Sequence, residues 1–284
     1  MSEATRRYRV RDVLGTGAFG TVYRADALGS GNFIRPVAVK ILHRQLASEE
    51  PLVQRLRDEA RMLAQLKHRA IVRVDDLVQM EGSWAIVMEL VDGVDLQRIS
   101  AYRPLPPGPA AEVIQEVASA LRVAFEQQDE QGNPLRLLHR DIKPSNLALT
   151  ATGEVRVLDF GIARADIPGR ESQTRSVLLG TPAYMAPECF DDGPGHVADV
   201  FALGATFFEL LTGHMLGRTS VDPERHEARI TESMGELPVD VADHPELMAL
   251  LRSMLAYREA ERPTAREVER QLRDLRPTLG EPWL

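Results

Sequence analysis

Lysine is almost missing from this chain. Of its 34 basic residues only Lys40, Lys67 and Lys143 are lysines, which leaves 31 arginines. Cysteine is scarcer still. Cys189 stands alone, so no disulfide can form within the chain, and a reducing compartment fits. No stretch of about 18 apolar residues occurs, which excludes a membrane-spanning helix on the sequence pattern. Met1 to Tyr8 is polar and lacks the apolar centre of a secretory signal. Basic blocks are absent too: 42 acidic residues outnumber the 34 basic ones, for a net charge of −8, and a nucleic-acid binder is disfavoured. The expectation is a cytoplasmic, globular protein with neither a nucleic-acid nor a membrane partner.

What is present is enough to fold. A chain of 284 residues, 44% hydrophobic, suits one large domain or two lobes and buries roughly 75% of its unfolded surface. The arginine bias reads as a compositional preference. It makes each surviving lysine a candidate for a position that needs a compact ammonium and not a planar fork.

Hydrophobic periodicity divides the chain. Period-two runs at Tyr8–Leu14, Thr21–Ala25 and Val37–Leu42 predict strands, with two more near Ile71–Val78 and Trp84–Leu90 joined by a turn at Glu81-Gly82. Between Glu49 and Leu66 the period changes: Leu52, Leu56, Glu59, Leu63 and Leu66 recur at helical spacing. After Asp92-Gly93 the pattern is helical, with helices expected at Ala110–Glu126, Ala198–Leu211, Pro245–Ala256 and Ala265–Leu275. Residues 213–245 carry no readable pattern. The prediction is an α+β chain, with a small antiparallel β lobe holding one helix, then a larger helical lobe, and a ligand cleft between them.

Three motifs carry chemistry. Gly15-Thr16-Gly17-Ala18-Phe19-Gly20 is weak alone, because a dinucleotide fingerprint or a plain glycine turn would also read so. A dinucleotide site needs a helix directly after the glycines, however, and here Thr21-Val22-Tyr23 continues as a strand. Lys40 lies in the buried run Val37-Ala38-Val39-Lys40, and Glu59 lies on the apolar face of the helix that follows. Each needs a partner, and they form the natural pair. The third cluster is Leu138-His139-Arg140-Asp141-Ile142-Lys143-Pro144-Ser145-Asn146 with Val157-Leu158-Asp159-Phe160-Gly161. Asp141, Asn146 and Asp159 are hard oxygen donors on short loops, suited to Mg²⁺ and not to zinc.

In order and spacing these segments resemble a protein serine/threonine kinase of the eukaryotic-like, Hanks type, and a bacterial one in its compactness and arginine bias. Gly180 to Glu188 (Gly-Thr-Pro-Ala-Tyr-Met-Ala-Pro-Glu) resembles the end of an activation segment, and Asp199 to Gly204 the start of the buried kinase helix. The resemblance covers about Tyr8 to Leu275. It implies a bilobal kinase domain over 8–275, with lobes 8–91 and 92–275 and a short tail at 276–284. The implied activity is transfer of the γ-phosphoryl of ATP to Ser/Thr hydroxyls, with Mg²⁺ or, alternatively, Mn²⁺. Asp141 is the implied proton acceptor, and Lys143 neutralises the γ-phosphate and marks the Ser/Thr class. Asn146 and Asp159 are the implied metal ligands. Nucleotide contacts are implied for Leu14, Gly15, Thr16, Gly17, Ala18, Phe19, Gly20, Val22, Ala38, Lys40, Glu59, Met88, Glu89 and Val91, with Met88 as gatekeeper and 89–91 as the adenine-binding hinge.

Structural roles follow from the same likeness: Thr181 ties the substrate segment to the catalytic loop, Glu188 pairs with Arg262, and Asp199 braces the loop backbone. Implied partners are Ser/Thr-bearing proteins and the chain itself, as substrate at Ser172, Thr174 or Ser176 and as a transient homodimer. Cys189 reads as a small buried residue. The rival readings are a pseudokinase scaffold, disfavoured because Lys40, Asp141 and Asp159 are all present, and a small-molecule kinase of the same fold, disfavoured by the Ala-Pro-Glu segment and Thr181.

Overall fold

The computed structural model describes residues 7–17, 20–43, 50–80, 82–129, 131–160, 181–190 and 195–280. The chain forms two compact units, one of residues 1–67 and 72–92, the other of 68–71 and 93–284.

The first unit is an antiparallel sheet of β1 (Arg7–Thr16), β2 (Gly20–Leu28), β3 (Ile34–Leu42), β4 (Val74–Met80) and β5 (Ser83–Glu89), in the order β1-β2-β3-β5-β4, with helix α1 (Glu50–Gln65). Alternation along the strands decides its two faces. Ala25, Val37, Val39, Ala85 and Val87 are fully buried in one cluster, closed at its margin by Tyr8, Ala27, Ile41, Val78 and Met80. Ala60 and Leu63 are buried on α1. The side chains of Leu52 and Leu56 lie outside the described residues. β4 starts at Val74, later than the apolar run at Ile71 predicts. The reason is that Ile71 pairs with Val157 and Ala70 accepts a hydrogen bond from Val157 N at 2.6 Å, so residues 68–71 belong to the second unit.

The second unit opens with β6 (Gly93–Asp95), α2 (Leu96–Tyr102) and α3 (Pro107–Glu126). The strands β7 (Leu147–Thr150) and β8 (Val155–Val157) complete a three-stranded antiparallel sheet, β6-β7-β8. Then come α4 (Ala198–Thr212), α5 (Pro223–Met234), α6 (Val239–Ala242), α7 (Pro245–Met254) and α8 (Ala265–Leu275). α3 begins at Pro107, three residues before its apolar stripe, because proline at the first helical position has no N–H to orphan. α4 is buried along nearly its whole length, with Phe201, Phe207 and Phe208 at its centre. Gly213 ends it in the left-handed conformation, φ 81°. α5 fills the stretch that carried no apolar pattern. Among the described residues no helix is long and apolar enough to cross a membrane.

Candidate active site

In the first unit, strand register places the nominated side chains. Lys40 pairs across the sheet with Val22 on β2 and Ile86 on β5. Alternation puts Val22, Ala38, Lys40, Ile86 and Met88 on one face, opposite the buried cluster. Trp84 shares that face, and the Arg57 guanidinium of α1 lies 5.2 Å from its ring centroid. The helix that carries Glu59 therefore packs on the side where Lys40 projects. The N–H of Glu89, first residue of the nominated hinge, donates to the Arg73 carbonyl at 3.0 Å.

The glycine-rich turn connects two paired strands, with Gly15 opposite Val22 and Thr16 opposite Thr21, so the chain runs into β2 and not into the helix a dinucleotide fingerprint needs. Its three glycines have different causes. Among the described residues a Cβ on Gly15 would meet nothing within 4 Å, and one on Gly17 only the Gly20 carbonyl at 3.9 Å. A Cβ on Gly20 would lie 2.3 Å from the Ile41 carbonyl oxygen. Gly20 is thus demanded by the close approach of β3, while Gly15 and Gly17 leave backbone open to an incoming group. Leu14 is 52% exposed. Ala18 and Phe19 lie outside the described residues.

In the second unit the hairpin β7–β8 sets the geometry. Leu147 pairs with Val157, so Asn146 and Leu158 are the next residues out, and Leu158 N donates to the Asn146 carbonyl at 2.8 Å. Asp159 follows directly. The Asn146 amide nitrogen donates to both the Asp141 carbonyl and Asp141 Oδ2, each at 2.8 Å. Lys143 Nζ lies 3.0 Å from Oδ2 and donates to Thr181 Oγ1 at 2.8 Å, and that hydroxyl donates to Asp141 Oδ1 at 3.1 Å. Three donors, two from the loop itself and one from the segment at Thr181, thus converge on one carboxylate, which is 8% exposed, and all of them favour its anionic form.

The backbone beneath is held as firmly. Asp199, 6% exposed at the start of α4, accepts from His139 N at 2.6 Å and from Arg140 N at 2.7 Å. His139 is fully buried. Its Nδ1 accepts from Asp141 N at 3.2 Å, so its Nε2 carries the proton and donates to the Leu158 carbonyl at 2.9 Å. The same ring packs against Phe160, centroids 4.6 Å apart. Arg140 and Asp159 adopt left-handed backbone at φ 63° and 52°. Such conformations persist where surrounding bonds over-determine them.

Nearby, Arg262 forks onto Glu188 at 2.5 and 2.8 Å and lies 5.0 Å from the Phe201 ring centroid. Cys189 is half-buried, less enclosed than its sequence context suggests, and burial pushes its thiol up to about 12. Sequence reasoning assigned no role to Glu209, whose Oε2 accepts from the Tyr184 hydroxyl at 2.5 Å. Burial raises the Glu209 carboxyl, partly offset by that bond, and burial first, then Glu209, raises the Tyr184 hydroxyl. The signal was available: a glutamate inside an otherwise apolar helix must find a donor. Ser172, Thr174 and Ser176 lie outside the described residues.

The family model for the protein kinase domain matches residues 8–272. The chain is 36% identical to the serine/threonine-protein kinase PkaB of Streptomyces coelicolor over 288 residues, covering 96% of this chain and 64% of PkaB. It is 39% identical to the tyrosine-protein kinase MasK of Myxococcus xanthus over 208 residues, 70% of this chain and 32% of MasK. Less than two thirds of either relative's length is spanned. Among solved structures, the Mycobacterium tuberculosis PknI kinase domain superposes with a TM-score of 0.68 at 27% identity, covering 96% of this chain and 97% of that one. With an antiparallel-sheet unit, a helical unit and this match over nearly its whole length, the chain belongs to the protein kinase domain family.

Proposed function

We propose that the chain is a protein serine/threonine kinase that transfers the γ-phosphoryl of ATP to a hydroxyl of a protein substrate. The observation that carries the reading is the convergence of Lys143, Thr181 and Asn146 on the Asp141 carboxylate. An acceptor hydroxyl reaching Asp141 would surrender its proton to an anion already aimed and screened from bulk water. Lys143, beside it, offers an ammonium to the phosphoryl oxygens, and the Thr181 contact couples the substrate-binding segment to the loop. On the first unit, Lys40 holds the α/β-phosphates with Glu59 as its partner. Val22, Ala38 and Met88 give the adenine an apolar wall, and Gly15 and Gly17 let backbone amides approach phosphate.

Asn146 and Asp159 fit a divalent cation. The Asn146 amide nitrogen is committed to Asp141, its carbonyl oxygen is a hard donor, and Asp159 adds a carboxylate. Two hard oxygen donors on short loops would suit Mg²⁺, with Mn²⁺ as the alternative, the remaining positions being filled by water or substrate oxygens. When bound, the ion neutralises charge on those oxygens. The chain also phosphorylates itself between residues 165 and 181, at Thr174 or a neighbouring serine.

The test is incubation with radiolabelled ATP and Mg²⁺, with phosphoamino-acid analysis of the chain and of a generic protein substrate. Phosphoserine or phosphothreonine, with a phosphopeptide inside 165–181, is expected. Label confined to phosphotyrosine would overturn the Ser/Thr assignment.

A further inference from the structure

One side chain outside every role assigned above touches the glycine-rich turn. His43 follows directly after β3, and its Nε2 lies 3.1 Å from the Gly17 carbonyl oxygen. A carbonyl only accepts, so Nε2 carries the hydrogen and donates. Gly17 is held on its other side as well, its N–H donating to the Gly20 carbonyl at 2.9 Å. A second observation explains how the histidine reaches. Leu42, the residue before it, pairs with Gly20, and the missing Cβ of Gly20 lets β3 approach so closely that any Cβ there would sit 2.3 Å from the Ile41 carbonyl. The third glycine and His43 therefore act together: the glycine seats β3 against the end of β2, and the histidine spans from β3 to the turn.

We propose that His43 is a positioning residue for the glycine-rich turn, presetting the backbone that receives the nucleotide phosphates. The effect on nucleotide rests on the kinase reading, but the latch itself does not. A turn already held in one arrangement loses less conformational freedom when it closes on a ligand. His43 thus acts on ground-state nucleotide binding, not on the transfer step. Its signature is a change in KM for ATP with kcat nearly unaffected, because an interaction made equally in ground and transition states moves KM alone.

The test uses the full chain and three proteins: parent, His43→Ala and His43→Gln. Glutamine places its amide nitrogen where the imidazole has Nε2, so it keeps the donor without the ring. Amide hydrogen exchange without nucleotide, read on peptides covering residues 13–23, is expected to be several-fold faster in His43→Ala and close to parent in His43→Gln. KM for ATP is expected to rise about two- to tenfold in His43→Ala, the range one net hydrogen bond supplies, with kcat within about twofold and recovery in His43→Gln. Parent-like exchange in His43→Ala, or no recovery in His43→Gln, overturns the latch. Turnover that Asp141→Asn leaves untouched would instead overturn the kinase reading, and the exchange comparison would still decide the latch.

Discussion

The glycine-rich turn of the first unit and the catalytic loop of the second are built on opposite plans. In the loop, the candidate catalytic groups are tied by side-chain bonds within the loop and from other segments: Asp141 to Asn146 and Lys143 beside it and to Thr181, the backbone at 139–140 to Asp199, and His139 to Leu158. The hollow bounded by Arg140, Asp141, Thr181, Tyr184 and Asp199 holds about 20 Å³, room for one water. In the turn, position comes from strand register and from the His43 bond to the Gly17 carbonyl, and among the described residues nothing lies within 4 Å of a Cβ on Gly15. The difference suits the two tasks. On the proposed function, proton acceptance tolerates little displacement of the acceptor, whereas the turn needs only backbone left open for phosphate to approach.

The largest effect is expected at the loop. Asp141→Asn keeps the shape and removes the anion, and turnover should fall by about 10²–10⁴-fold, the range of a general base. A melting temperature near parent would show that the loss is chemical. If the variant retained parent turnover, the loop would not be the proton-accepting side at all.

Next in size is the pair of lysines. Lys40→Arg puts a wider planar fork on a sheet face crowded by Val22 and Ile86, and kcat/KM should drop by about 10²-fold, the scale of a misplaced positioning group. Lys67→Arg alters an exposed side chain just after α1 and should leave kcat/KM within about twofold. Equal activity of the two variants would remove the claim that the scarce lysines mark sites needing an ammonium.

The turn is sharpened by treating its glycines separately. Gly20→Ala forces a methyl against the β3 backbone and should cost about 1–3 kcal/mol of stability, the usual range for overpacking. Gly15→Ala meets nothing among the described residues, so its melting temperature should stay at the parent value while KM for ATP rises. Differential scanning fluorimetry beside steady-state kinetics separates them. Identical behaviour would mean the glycines share one cause.

How much of this was legible depended on whether a residue's reason lay within its own segment. Strand alternation around Lys40, the apolar continuity of α4 and the loop motif all read directly from neighbouring residues. The small sheet β6-β7-β8 did not, because strands of three and four residues are too short for a period. α5 escaped for a related reason. It buries only His226, Ile230, Ser233 and Met234, so an apolar stripe hardly exists, although Asp222-Pro223 supplies a cap and a first-turn proline. The start of β4 was displaced because Ile71 serves the other unit. Long-range bonds such as Tyr184 to Glu209 and His43 to Gly17 left only an indirect mark, a polar residue whose partner is required but unnamed.

The smallest effect asks how far the second unit's tight bonding extends. His226 of α5 is 1% exposed, and its Nε2 donates to the Leu255 carbonyl at 2.8 Å, while its buried Nδ1 has no hydrogen-bond partner among the described residues. Phe201 of α4 and Tyr257 pack on its ring, and the charged neighbours are Arg262 across the interface with Glu227 and Arg229 on α5 itself. Burial lowers the imidazole from the usual 6.5, and the Leu255 bond only partly opposes this. Between the lowered value and 6.5 the unfolded chain therefore binds more protons than the folded one. Stability from this group is complete above about pH 6.5 and is lost as pH falls. His226→Gln keeps a donor for Leu255 and cannot titrate, so its melting temperature should fall less than the parent's between pH 7.5 and 5. Parallel pH profiles would show that α5 yields at that site on protonation at no cost, and that the rigidity of the catalytic loop stops short of it.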